Sequence, residues 1–121
     1  MRYLLLIYGD EAARPEMSEK QGNVEMKRWY DYSNWLVEKG WMRGGDALQD
    51  TDHATSVRIS GGDRVVTDGP FAETKEQLGG FYLIEVGNLD DAIEAAARCP
   101  GAELGTMEVR PIMELDLPEG S

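Results

Sequence analysis

The sequence predicts one α+β domain, on three observations. Five short stretches read as strands, two longer ones repeat their apolar residues at helical spacing, and glycine or proline separates many of them. A chain of 121 residues, 41% hydrophobic and 29% charged, suffices for one core and has an ordinary globular balance.

Arg2 to Tyr8 reads as a buried strand, apolar on both faces apart from its ends, and Gly9-Asp10-Glu11 breaks it. From Val24 to Lys39 the spacing predicts a helix with Met26, Trp29, Tyr32, Leu36 and Val37 on one broad side. Lys27, Asp31, Asn34 and Glu38 form its solvated stripe, and Gly40 ends it. Thr55 to Ser60 alternates, Gly61-Gly62-Asp63 turns, and Arg64 to Thr67 returns as the second strand of a hairpin. Gly80 to Val86, with Phe81, Tyr82, Leu83 and Ile84, is strongly β. Asn88 is a helix N-cap ahead of Asp90 and Asp91, with Leu89, Ala92, Ile93, Ala96 and Ala97 as the packing face. Pro100-Gly101 stops that helix, and Thr106 to Leu115 alternates as a last strand.

The order is strand, helix, two or three strands, strand, helix, strand, the ferredoxin-like split βαβ sandwich. Two helices cover one face of such a sheet, so the other face needs a partner or encloses a pocket. A homodimer with sheets face to face is the economical answer. Residues 1–117 make this single domain, and Pro118-Glu119-Gly120-Ser121 reads as a frayed tail.

The charge and the rare residue types exclude several classes of function. A net charge of −11 argues against nucleic acid and against anionic membranes. The longest apolar run is far too short to span a bilayer, and Met1-Arg2-Tyr3 leads into it without a cleavage site. One cysteine, Cys99, permits no internal disulfide and fits a reducing, cytoplasmic setting. One histidine and one cysteine exclude a conventional structural zinc site, and no pattern calls for a cofactor.

Asp68-Gly69-Pro70-Phe71 is the leading candidate for chemistry. Pro70 fixes its own φ and pushes Gly69 out of helical space, so the chain turns and presents Asp68 at a strand end. Asp68 there either caps the turn or serves as a binding or catalytic carboxylate. Glu73, Lys75 and Glu76 follow in a short polar loop bounded by Gly79-Gly80, which suits a pocket mouth and equally a solvated loop. Arg58, opposite Val57 and Ile59, has the fork to bind a carboxylate or to pair across strands. His53 lies in a polar, exposed-looking stretch, and Cys99 reads as an inert small apolar side chain. Trp29, Trp35 and Trp41 are most simply core.

From Val66 through Thr67-Asp68-Gly69-Pro70-Phe71-Ala72-Glu73-Thr74-Lys75-Glu76-Gln77-Leu78-Gly79-Gly80 to Ile84, the chain resembles the DGPF-domain branch of the YCII-related family. The opening Met1 to Gly9, Ala54 to Arg58, Ala96 to Pro100 and Glu108 to Pro111 extend the resemblance over nearly the whole chain. It implies a dimeric α/β barrel with a cleft carrying a His–Asp pair, and in one branch a dehydrochlorinase activity. Asp68 matches the aspartate; the first helix carries no histidine and His53 does not fall at that place, so only Asp68 transfers. It further implies a functional link to an extracytoplasmic-function sigma factor.

Three readings of function follow. In the first, a homodimer binds an unidentified small polar or aromatic molecule near Asp68, with Arg58 and Lys75 neutralising it and Phe71, Glu73 and Tyr82 beside it. In the second, Asp68 transfers a proton in lyase- or isomerase-like chemistry, its pKa raised by burial near Phe71 and Tyr82. In the third, the chain is a protein-binding accessory in sigma-factor-linked regulation.

Overall fold

In the computed structural model, which describes residues 1–116, the apolar run Arg2–Gly9 forms β1, the strand on which the main sheet is built. In chain order there follow α1 (Glu19–Glu38), β2 (Met42–Ala47), β3 (Thr55–Ser60), β4 (Asp63–Asp68), β5 (Gln77–Glu85), α2 (Leu89–Arg98), the single turn α3 (Gly101–Leu104) and β6 (Thr106–Pro111). The tail expected over 118–121 lies outside the described residues. The main sheet has four strands in the order β2-β5-β1-β6, every pair antiparallel, and β3 and β4 form a separate two-stranded ribbon. Both sheets are open within one chain, so closing a barrel would take a second copy. No helix among the described residues is long and apolar enough to cross a membrane.

Period-two alternation decides which side chains of β1 meet the helices. Tyr3 and Leu5 point to one face, where Ile84 and Val86 join them, and Tyr32 and Leu36 of α1 with Ala92, Ala95 and Ala96 of α2 close over them. Leu5, Leu36 and Ile84 are fully buried, which makes their contact the centre of the core. The alanines let α2 approach the sheet closely, and the Tyr32 hydroxyl donates to the Ala95 carbonyl at 2.6 Å. The other face carries Leu4 opposite Leu83 and Leu6 opposite Phe81, flanked by Glu108 and Arg110.

Several elements differ from the sequence expectation for physical reasons. Helix α1 begins at Glu19 rather than near Val24, because Ser18 and Gln21 form a capping box. The Ser18 hydroxyl accepts from the Gln21 amide, and the Gln21 side chain accepts from the Ser18 amide. On the expected apolar side, Met26 and Val37 are 72% and 60% exposed, because the helix seats on the Tyr32–Leu36 seam instead. The three tryptophans are half-buried around that core rather than in it. In α2, Ala95 is buried, whereas Leu89, Ile93 and Ala97 are exposed. The last strand ends at Pro111 instead of Leu115, since its partner β1 starts at Arg2; Met113 and Leu115 stay exposed. Gly40 terminates α1 as expected, at φ +74.

Strand β2 has no apolar alternation of its own; pairing with β5 defines it. The Leu48 amide continues that pairing by donating to the Gly79 carbonyl at 2.9 Å, after which the chain leaves the sheet for the ribbon.

Ser18→Ala should lower stability by about 1 kcal/mol through loss of the cap, and Leu36→Ala by about 2–5 kcal/mol through the cavity it leaves. Urea unfolding with an unchanged slope would confirm both; a Leu36→Ala cost no larger than that of Ser18→Ala would contradict the core assignment.

Candidate functional site

Glycine shapes the larger of two clefts. Gly45 has φ +159, and a Cβ there would lie 2.7 Å from the Phe81 carbonyl oxygen. At Gly80 a Cβ would lie 2.9 Å from the Asp46 carbonyl oxygen. Edge strand β2 and its neighbour β5 therefore meet as bare backbone, and no side chain rises from these positions to support the N-terminal half of α1. The helix leaves a cleft of about 1110 Å³ over this floor, lined among others by Met17, Met26, Trp29 and Leu104.

Neighbouring segments hold that wall in place. A Cβ at Gly101 would come within 2.9 Å of Ile7 Cγ2 and 3.2 Å of Trp29 Cη2, so the indole tip packs directly on the start of α3. At the mouth, Glu11 accepts from the Thr51 amide at 2.9 Å and from the Thr51 hydroxyl at 2.7 Å. The Glu11 amide donates to the Gln77 side chain at 2.9 Å, and Arg14 pairs with Asp50. The segment after β1 is thus tied both to the segment after β2 and to the start of β5.

Besides charged side chains such as Glu11, Arg14, Glu25, Asp46 and Asp50, the cleft wall carries a hydroxyl pair: Ser33 Oγ and the Tyr82 hydroxyl lie 2.8 Å apart. The Tyr82 ring stands edge-on to Tyr32 with centroids 5.3 Å apart. Burial pushes the Tyr82 hydroxyl above its ordinary pKa, so it remains a proton donor at neutral pH. One O–H of the pair joins the two residues; the other is available to a guest, as are the oxygen lone pairs.

A smaller cleft of about 530 Å³ lies on the ribbon, lined by Arg58, Ser56, Thr67, Pro70 and Phe71 among others. The turn at Asp68-Gly69-Pro70 is present: Gly69 has φ +94, its amide donates to the Ala54 carbonyl at 2.7 Å, and Ser56 Oγ donates to the Gly69 carbonyl at 2.8 Å. Asp68 is exposed at the strand end opposite Thr55, and Phe71 is 85% exposed. Glu73 and Lys75 are exposed in the following loop. Of the sequence candidates, Arg58 and Phe71 share the ribbon cleft and Tyr82 belongs to the larger one; Asp68, Glu73 and Lys75 line neither.

His53 is exposed in a 3₁₀ turn, 3.6 Å from Asp52. Cys99 is 1% exposed, and burial raises its thiol to about 11, which leaves it protonated and unreactive at neutral pH. Among the described residues no three His, Cys, Asp or Glu side chains converge as a metal-binding set. Sequence reasoning passed over Trp29 as core and did not single out Ser33. The paired glycines at 44–45 and 79–80 were the available signal.

The model of the YCII-related domain matches residues 1–116. An uncharacterised protein from Rhizobium meliloti (strain 1021) is 39% identical over 114 residues, covering 93% of this chain and 92% of that protein.

Cys99, Tyr32 and Tyr82 all have pKa values raised mainly by burial, so each is protonated longer in the folded than in the unfolded chain. Their stabilisation is complete below the unfolded thiol value near 9 and is lost as pH rises above it. Thermal unfolding should hold its midpoint from pH 7 to about 8.5 and fall steadily from about 9 to 11. A flat midpoint across that alkaline range would contradict the assignment.

Proposed function

The chain belongs to the YCII-related family, and on that premise we propose that it is a binding protein for a small, flat, largely apolar molecule with a hydrogen-bonding group. The ligand lies in the cleft between α1 and the glycine floor of β2 and β5, its body against Trp29 and Met26 and its polar group on the Ser33–Tyr82 pair. The single observation that carries this reading is that hydroxyl pair set into an otherwise mainly apolar wall. Apolar bulk with a few placed polar groups is the composition of small-molecule sites, and the volume has the size they require.

The homodimer and the ferredoxin-like plan belong to the same proposal. Strand order β2-β5-β1-β6 with α1 and α2 on one face supports the plan. The face bearing Leu4, Leu6, Phe81 and Leu83 supports pairing with a second copy, which would close two open sheets into a barrel. The larger cleft is preferred to the ribbon cleft beside Asp68 because regular elements hold its walls, whereas Phe71 stands in solvent.

A thermal-shift screen of planar aromatic alcohols, phenols and amides should find compounds that raise the unfolding temperature. Saturation at about a hundred times Kd adds roughly 2.7 kcal/mol. Tyr82→Phe should weaken binding about tenfold by removing one hydrogen bond, and Trp29→Ala should weaken it more. The proposal fails if every stabilising compound binds Tyr82→Phe and Trp29→Ala as it binds the parent chain.

A further inference from the structure

The ribbon is left without cover in its own chain. Strand pairing places Thr55, Val57 and Ile59 on one face with Asp68, Val66 and Arg64 opposite them. The second face carries Ser56, Arg58 and Ser60 with Thr67, Val65 and Asp63, and the Ser56 bond to the Gly69 carbonyl turns Gly69-Pro70 towards it. On the first face Val57, Ile59 and Val66 are 62%, 66% and 58% exposed. An isolated two-stranded hairpin is marginal in water, and a contiguous exposed β-branched stripe marks a contact surface.

The charges along that stripe indicate what covers it. Arg64 stands at the turn end and Asp68 at the base end of the same strand, with Val66 between them. Neither forms an ion pair among the described residues. Reversing the stripe end for end puts positive against negative and valine against valine, so the stripe is its own complement. It is also locally balanced, Arg58 and Arg64 against Asp63 and Asp68, in a chain of net charge −11. Two strongly acidic molecules can meet at this neutral patch without adding like charges to the contact.

We propose that the β3–β4 ribbon docks on the same ribbon of a second copy of this chain, about a two-fold axis crossing the strands. Val57 and Val66 each meet their own counterpart near the axis, Ile59 meets Thr55, and Arg64 of each copy faces Asp68 of the other. The contact is isologous, with both ion pairs generated by one operation. A six-residue ribbon is roughly 20 Å long and about 10 Å wide, so its face lies well below the ~800 Å² per partner of a stable interface. Ribbon stacking is therefore weak and concentration-dependent by itself. It stands independently of ligand binding and of the sheet-face pairing, since it uses none of the residues of either.

Site-directed crosslinking in concentrated protein tests it, with little background because Cys99 is buried. Val57→Cys, near the axis, should form a disulfide-linked dimer under mild oxidation, whereas Ser60→Cys on the opposite face should not. In the Val57→Cys background, Arg64→Asp and Asp68→Arg should each slow crosslinking about tenfold, and the two swaps combined should restore it to within about twofold. No dimer at Val57→Cys, equal crosslinking at Ser60→Cys, or failure of the double swap to restore the rate would each overturn the proposal. Circular dichroism of every variant checks that the fold is intact.

Discussion

At Gly45 and Gly80 the backbones of β2 and β5 come closer than any Cβ would permit, and the cleft follows from that approach. A sheet edge of this kind gives a helix nothing to pack against. Helix α1 accordingly takes its grip through Tyr32 and Leu36 in its C-terminal half, where Leu5 and Ile84 fill the interface. Its N-terminal half starts at a capping box that satisfies two of the free amides and is held more lightly, by Trp29 against the start of α3 and by the Arg28–Glu103 ion pair. The exposure of Met26 and the half-burial of Trp29 are then consequences of one backbone contact.

The same division shows in the aromatic residues. Trp35 and Trp41 meet edge to face with centroids 5.6 Å apart, and cations cover their outer surfaces: Arg98 over Trp35 at 4.6 Å and Lys39 over Trp41 at 5.0 Å. Half-burial is a stable arrangement for an indole whose open face carries a cation. Most ion pairs of the molecule are solvent-exposed and contribute little to stability individually. The acidic surface governs how the protein meets other molecules, while the small apolar centre keeps it folded.

What the sequence revealed divides along physical lines. Strands β1 and β5 and helix α2 were legible because an apolar run or an N-cap asparagine acts locally. The turn at Gly69 was legible for the same reason: Pro70 and a glycine restrict the backbone wherever they occur. Strand β2 was not, since Gly44 and Gly45 carry no pattern and only the register with β5 defines it. The Ser33–Tyr82 pair was equally hidden, because its partners are 49 residues apart and meet only once α1 is seated on the sheet. Met26 misled because it is apolar at helical spacing where the sheet offers no partner, and Val37 because it lies one residue past Leu36, off the side that meets the sheet.

The bond from the Leu48 amide to the Gly79 carbonyl bears on how this chain can change. It closes the main sheet near the point where the chain departs and returns, so the stretch from residue 49 to residue 76 is an excursion whose two ends are already close together. Closing such a loop costs entropy that grows only with the logarithm of its length, about 0.6 kcal/mol for each doubling. Lengthening, shortening or replacing the ribbon thus leaves the energetics of β1, β5 and the two main helices almost untouched. The excursion is where descendants of this fold can acquire new partners while keeping the same core.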